Sequence, residues 1–155
     1  MPTTEGSERW LAEQRCAQLI HRYAAAVDRV DLDLLRTCFV ADAEASYMGR
    51  PARGIEAIVA VIAPLARLRG TIHNLGPVHA TLGDGGAKLS AGCLVLAVSE
   101  ASEGAAARGV LRGVRYACDL VPVSGDWKIA RLEHSILWAT AAPESGLTGE
   151  PLGVR

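Results

Sequence analysis

The stretch TIHNLGPVHATLGDGGAKLSAGCLVLAV, residues 71–98, decides the fold. Apolar runs on both sides of the Gly-rich GDGG (83–86) predict two strands, 71–82 and 86–98, joined by a hairpin turn. The later strands and connections are predicted as a loop over 101–109, a strand over 108–122, a tight turn over 124–127 and a strand over 127–139. The second half of the chain is therefore predicted to be an antiparallel meander of long strands.

Helical spacing of apolar residues dominates the first half of the chain. It predicts a long amphipathic helix over 8–28, with Ser7 as its N-cap, and a short helix that begins after the N-cap Asp31. A third helix is predicted over 55–68, kinked or shortened by Pro64. Between the second and third helices we expect a short strand over 43–49 and a turn or loop over 50–54.

The order of these elements predicts the fold class. Helices followed by a meander indicate an α+β domain, in which the three helices of the N-terminal half cover one face of a strongly curved antiparallel or mixed sheet. Such a sheet forms a cone whose interior is a natural cavity for a small molecule. We expect one domain over residues 1–140 and a flexible C-terminal tail, rich in Pro and Gly, over 141–155.

Composition excludes several classes of partner. The chain has 155 residues, a formal net charge of −1 and 5% aromatic residues, which gives no reason to expect nucleic acid or a membrane surface as partner. The N-terminus does not resemble a signal peptide, and no apolar run is long enough to cross a bilayer. The four scattered cysteines predict buried, reduced thiols rather than a zinc site or disulfides. We therefore expect a soluble, cytoplasmic protein.

Several motifs resemble one family in their joint order. They are YAAAVDRVDLDLLRTCFVADAEASYMG (23–49), GIEAI (54–58), TIHNLG (71–76) and GVRYACDLVPVSGDWKIARLEHSILW (113–138). Over roughly residues 10–140 the chain resembles the SnoaL-like and scytalone dehydratase-like branch of the nuclear transport factor 2-like superfamily. The resemblance implies a cone-shaped α+β fold and a homodimer or higher homo-oligomer. Members of this branch include dehydratases, ketosteroid isomerase-like enzymes, polyketide cyclases, epoxide hydrolases and noncatalytic subunits.

The resemblance also implies roles for individual residues. The family's dehydratases use a His–Asp pair with tyrosines in a deep apolar pocket, and the matching positions are His73, Asp28, Tyr23 and Tyr47. Fungal scytalone dehydratases carry a Tyr directly before the Asp, where this chain has Val27, and a second histidine in the penultimate strand. No histidine lies between residues 108 and 122, so His134 on the final strand is the candidate substitute.

Each catalytic candidate also has a structural interpretation. Asp28 either orients His73, fixing its tautomer and raising its basicity, or it is a polar residue at a helix end that bonds to the next turn. His73 is either a general base or a core histidine that has found a hydrogen-bond partner. Tyr23 and Tyr47 either donate hydrogen bonds to a substrate carbonyl or cap the core.

In addition to Val27, the candidates for substrate binding are His134, Tyr116 and Trp138. On an ideal strand His134 shares a face with Ile136 and Trp138, and a polar ring on that apolar face needs a partner, from the substrate or from the protein. Tyr116 is either core packing or pocket wall. We place His79 on the sheet surface or at a subunit interface. A metal site built from His73, His79 and Asp84 is a less favoured alternative, and we expect neither metal nor cofactor.

Together these observations predict a cofactor-free dehydratase or isomerase. It would use the His–Asp pair for proton transfer on a small apolar carbonyl compound, such as a polyketide or a steroid-like ring. Polyketide cyclisation or epoxide opening on the same scaffold stays open as an alternative. A noncatalytic ligand-binding or structural protein is the alternative from a different class.

Overall fold

The computed structural model describes residues 4–99 and 108–142. Its α-helices are α1 (Thr4–Arg29), α2 (Leu32–Cys38) and α3 (Ile55–Ile62), with a 3₁₀-helix (Ala63–Arg67) directly after α3. Its strands are β1 (Phe39–Tyr47), β2 (Arg50–Arg53), β3 (Leu68–Gly83), β4 (Gly86–Ser99), β5 (Gly109–Val123) and β6 (Asp126–Ala141). The predicted order of helices before long strands is confirmed.

The six strands form one mixed sheet in the order β2-β1-β6-β5-β4-β3. The β1–β6 pair is parallel and the other four pairs are antiparallel. The sheet is curved and open, and its inner face packs against the helices, so the predicted α+β class is confirmed. The core between them includes Leu19, Ile20, Tyr23 and Val27 of α1 and Leu89, Cys93, Val95, Val114, Tyr116 and Leu132 of the sheet.

Two predicted helix signals are confirmed and one is wrong. Asp31 caps α2, because its Oδ1 accepts the backbone N–H of Leu34 at 2.9 Å. Pro64 ends the regular third helix, since a residue without an N–H cannot continue the i to i−4 ladder, and the chain tightens into the 3₁₀-helix. Ser7 is not an N-cap, because α1 already begins at Thr4.

The expectation of a turn or loop over 50–54 is wrong for most of its length. Met48 and Gly49 adopt φ values of 55° and 78°, which turns the chain straight back, and β2 then pairs with β1. Pro51 lies within β2, where it is tolerated because β2 is an edge strand. Proline and glycine in RPARG made the segment resemble a turn, although the turn itself lies just before it.

One bulge in β3 and one in β6 each reverse the alternation of side chains between the inner and outer faces of the sheet. In β3 the register shifts between Leu75 and Val78, so His79 pairs with Ser90 on the exposed outer face, as its surface placement predicted. In β6 Leu137 is an extra residue, since Ile136 pairs with Val114 while Trp138 pairs with the adjacent Gly113.

The bulge at Leu137 corrects the placement of Trp138. This side chain was expected on the same face as His134, but it lies on the outer face and is 47% exposed. Its indole covers Gly113 so closely that a Cβ added there would lie 2.3 Å from Trp138 Cε2. Trp138 is therefore not a substrate-binding candidate, because the extra residue turns it away from the interior.

Some expectations concern residues outside the described ranges. Most of the expected tail over 141–155 and of the expected loop over 101–109 lies there, and the single domain over 1–140 stays a prediction. The cysteines are free and buried, as predicted; they are Cys16, Cys38, Cys93 and Cys118. In the part of the chain that the structure describes, no helix combines the length and apolarity needed to cross a membrane.

Candidate active site

The C-terminal end of α1 carries Asp28. The helix ends one residue later, at Arg29. The next residue, Val30, adopts a left-handed φ of 50°, and its N–H bonds to the carbonyl of Val27 at 3.1 Å. The N–H of Asp31 bonds to the carbonyl of Ala26 at 2.9 Å, which closes the helix end. Asp28 is thus held in the last helical turn, with its side chain 22% exposed and directed at β3.

The Asp28 carboxylate accepts three hydrogen bonds from β3. Its Oδ1 accepts from His73 Nδ1 at 2.6 Å and from the Thr71 hydroxyl at 2.9 Å, and its Oδ2 accepts from the backbone N–H of His73 at 2.9 Å. Because an ionised carboxylate can only accept, the His73 ring must carry a proton on Nδ1. Nε2 is then the unprotonated nitrogen of the neutral ring, which is the form that can accept a proton.

His73 lines a cavity of about 170 Å³ between the helices and the inner face of the sheet. Asp28 lies behind the histidine ring, whereas the side chains on the cavity surface are mostly apolar. The lining residues are Tyr23, Val27, Tyr47, Met48, Val61, Ile62, Leu65, Leu68, Thr71, His73, Val95, Ala97, Arg112, Val114, Tyr116, His134 and Ile136. Among these, Met48 and Val61 are the large apolar side chains that are exposed to solvent.

Two tyrosines on one side of the cavity are hydrogen-bonded to each other. The Tyr23 hydroxyl donates to the Tyr47 hydroxyl at 3.3 Å, and both side chains are buried. Burial raises the pKa of Tyr47 to about 12 and raises that of Tyr23 well above its ordinary value. Both phenols therefore keep their protons at neutral pH. Because Tyr47 accepts from Tyr23, its own proton is available for a ligand oxygen.

Two buried polar atoms beside these tyrosines have no hydrogen-bond partner among the residues that the structure describes. They are the Tyr116 hydroxyl and His134 Nδ1. Tyr116 pairs with His134 in the β5–β6 ladder, and His134 pairs with Tyr47 in the β1–β6 ladder, so the three rings form one row across the sheet. Burial raises the pKa of Tyr116 and lowers that of His134, which keeps both groups neutral. Buried polar atoms without a partner are uncommon in native proteins, so these two set this part of the cavity wall apart.

A family comparison matches this chain over residues 8–133 to the model of the SnoaL-like domain. The chain belongs to the SnoaL-like domain family. The expected resemblance is therefore confirmed, together with the nuclear transport factor 2-like fold. The match contains Asp28, His73 and the residues that line the cavity, except His134 and Ile136.

Solved structures resemble this SnoaL-like domain over most of its length. Hexachlorocyclohexane dehydrochlorinase (LinA) type 2 superimposes with a TM-score of 0.77 and 19% identity, covering 94% of this chain and 97% of that one. LinA-type3 from Novosphingobium barchaimii LL02 gives 0.75 and 20%, covering 92% and 97%. A candidate scytalone dehydratase from Novosphingobium aromaticivorans gives 0.75 and 22%, covering 86% and 90%. These superpositions show that the chain shares the fold of these proteins. Among curated proteins there is no significant match.

The SnoaL-like domain brings most of the predicted site residues together. Asp28 and His73 are in contact, and Tyr23, Tyr47, Tyr116, His134 and Val27 line the same cavity as His73. Thr71 and Arg112 were missed. A strand period of two places Thr71 on the face of His73 and Arg112 on the face of Val114 and Tyr116, so strand parity could have identified both.

The metal alternative built from His73, His79 and Asp84 is wrong. His73 faces the cavity, whereas the bulge in β3 puts His79 on the outer face and Asp84 lies exposed in the β3–β4 turn. Within residues 4–99 and 108–142 no group of three metal-binding side chains comes together.

Proposed function

We propose that this SnoaL-like domain is a cofactor-free dehydratase or isomerase acting on a small carbonyl compound. The observation that carries the proposal is the Asp28–His73 pair, with Nδ1 bonded to the carboxylate at 2.6 Å and the ring at the cavity wall. A carboxylate that orients an imidazole makes it a stronger general base. The dehydratase and dehydrochlorinase named among the structural neighbours are both named for eliminations, which supports this choice of reaction class.

In the proposed dehydration, His73 moves one proton. Nε2 takes it from the carbon next to the substrate carbonyl, and the electron pair of the C–H bond moves into an enolate. The carbonyl oxygen then re-forms its double bond while the bond from the β-carbon to its hydroxyl breaks. That hydroxyl takes the proton from His73 Nε2 and leaves as water. Asp28 compensates the positive charge of the imidazolium while it exists.

The tyrosines are proposed to stabilise the enolate. Tyr47 has a free proton because it accepts from Tyr23, so it is the donor to the substrate carbonyl, and Tyr23 strengthens it through their hydrogen bond. The unpartnered Tyr116 hydroxyl and His134 Nδ1 are proposed to bind a second oxygen of the substrate. Val27 contributes an apolar wall.

The cavity size narrows the class of substrate. A volume of about 170 Å³ is close to the roughly 150 Å³ of an engineered apolar cavity that holds benzene. A single-ring carbonyl compound, such as a small polyketide, therefore fits better than a fused steroid. An isomerase would return the proton to another carbon, a cyclase would use the enolate to form a carbon–carbon bond, and an epoxide hydrolase would activate water at the same histidine.

The test uses 1,2-benzisoxazole, a small probe whose ring opens when a base removes a proton from carbon. The proposal expects the protein to accelerate this opening and expects His73→Ala to lower the rate by about 10²-fold or more. Equal rates in the wild type and in His73→Ala would contradict a catalytic base and favour a noncatalytic ligand-binding protein.

We also propose a cytoplasmic homodimer. Buried free thiols are compatible with a reducing compartment. The outer face of the sheet exposes large apolar side chains: Leu94 and Trp138 flank Gly113 in one register row, and Ile72 lies in the next outer-face row. A second copy is the proposed cover. Light scattering should give a dimer mass for the wild type and a monomer for Leu94→Glu, and a monomeric wild type would contradict this arrangement.

A further inference from the structure

Arg112 is the one permanently charged side chain among the described residues that line the cavity. It is half-buried on β5 and pairs with Val95 on one side and Ala139 on the other. It shares the inner face with Val114 and Tyr116, which line the same cavity. The guanidinium therefore adds one fixed positive charge to a mostly apolar chamber.

This charge has no counter-ion in the described part of the chain. The ion pairs there join other residues, and none of them includes Arg112. Asp28, the carboxylate of the proposed catalytic pair, already accepts three hydrogen bonds from Thr71 and His73. A partly buried guanidinium without a carboxylate partner is unfavourable in the empty cavity, and a bound anion would relieve that cost.

We propose that Arg112 binds a carboxylate of the substrate, so that the substrate is a single-ring carbonyl compound carrying an acidic group. This inference rests on the proposed function and specifies its substrate class. A guanidinium matches a carboxylate with two parallel N–H···O bonds, which gives both affinity and orientation. Discrimination against neutral analogues of the same size follows, because those leave the arginine without its counter-ion.

The strand register places the proposed anion site on the same face of the sheet as the catalytic pair, two strands away from it. His73, Val95 and Arg112 occupy one row across β3, β4 and β5, so His73 and Arg112 are two strands apart. At a spacing of about 4.8 Å per strand their backbones are about 10 Å apart. A single ring that lies over Val95 can reach both side chains, with its carboxylate at Arg112 and its reacting C–H at His73.

The test compares the binding of benzoate and benzamide, which have nearly the same shape but differ in charge. Wild-type protein should bind benzoate about tenfold or more tightly than benzamide, since only the carboxylate supplies a counter-ion to the guanidinium. The preference should weaken with added salt. Arg112→Gln should abolish the preference while leaving benzamide binding unchanged. Arg115→Gln, on the exposed outer face of the same strand, is the matched control and should keep the preference.

The outcomes separate this inference from the proposed function. Equal binding of benzoate and benzamide by the wild type overturns it without any variant, and so does a preference that persists in Arg112→Gln. His73→Ala should lose the opening of benzisoxazole but keep the benzoate preference. If His73→Ala retains that activity while Arg112→Gln loses the preference, the anion site stands and the proton-transfer scheme fails.

Discussion

Replacing Asp28 with asparagine is expected to reverse the protonation of the His73 ring and remove most of its activity as a base. In the wild type the carboxylate accepts from Nδ1, from the Thr71 hydroxyl and from the backbone N–H of His73. Asparagine has one acceptor oxygen and one donor NH₂ group, so it cannot accept at both positions. In one of its two orientations the NH₂ group faces the backbone N–H of His73, so that two donors oppose each other. The other directs NH₂ at Nδ1 and forces the proton onto Nε2.

Both orientations of the amide cost activity, by amounts that follow from these contacts. With the oxygen toward Nδ1, the base keeps its tautomer but loses the charged partner of its imidazolium form, which is worth about 1.5–3 kcal/mol. With the NH₂ group toward Nδ1, Nε2 is protonated and cannot accept a proton. Because the second orientation removes the general base altogether, we expect the rate of benzisoxazole opening to fall by about 10²–10⁴-fold. An unsatisfied donor at the Asp28 site should also lower the free energy of unfolding by about 1–3 kcal/mol.

Two measurements check the Asp28→Asn prediction, and only one of them depends on a substrate. The ¹⁵N shifts of the histidine rings report which nitrogen carries the proton, and His73→Gln identifies the His73 signals among those of the four histidines. Wild-type His73 should be protonated on Nδ1. The Asp28→Asn variant should be protonated on Nε2, because the amide oxygen then accepts from the fixed backbone N–H of His73 while the NH₂ group donates to Nδ1. Ring opening of 1,2-benzisoxazole then gives the rate of each protein.

Asp126→Asn is the matched control, because it makes the same chemical change in an exposed carboxylate that pairs with Arg22 at 3.2 Å. It should leave the rate and the His73 signals unchanged. The reasoning is refuted if wild-type His73 carries its proton on Nε2, or if Asp28→Asn keeps a rate comparable to that of the wild type.

Two further predictions concern stability. Burial holds the pKa of His134 below its ordinary value, so the unfolded chain binds a proton that the folded chain does not. The free energy of unfolding should therefore fall as the pH drops below about 6.5, and fall less in His134→Gln; urea titrations that give both proteins the same pH slope would contradict this. Ser124 and Gly125 adopt φ values of 51° and 83° in the β5–β6 turn, so Ser124→Asn should raise the melting temperature through roughly 0.5–1 kcal/mol of relieved strain, and an unchanged or lower value would refute the strain argument.

Local signals in the sequence were sufficient for most of the fold. The GDGG and SGDW turns predicted two hairpins correctly, because a Gly-rich tight turn between two apolar runs favours antiparallel pairing of those runs. Asp31 and Pro64 gave a helix start and a helix end for equally local reasons. β2 was missed because its pairing depends on a turn at Met48, which requires a left-handed φ at a residue that rarely adopts one.

The candidate site was predictable for a different reason. Asp28 and His73 are 45 residues apart, and no local pattern brings a helix end to a strand; the resemblance to a family supplied the pair. Arg112 was missed because an isolated charge on a predicted strand normally faces solvent, as Arg115 does. Its even spacing from Val114 and Tyr116 nevertheless assigns it to the inner face.

The wrong placement of Trp138 has a general cause. Alternation predicts a face only while the register is unbroken, and one extra residue reverses every side chain beyond it. The bulge at Leu137 follows Ile136, so it leaves His134 and Ile136 at the cavity and turns Trp138 outward over Gly113. The Gly76–Pro77 interruption in β3 acts in the same way after His73, which stays inside while His79 moves outside. Because of these bulges, the strand segments whose polar side chains face the cavity are the one beside Asp28 in β3 and the one beside Tyr47 in β6.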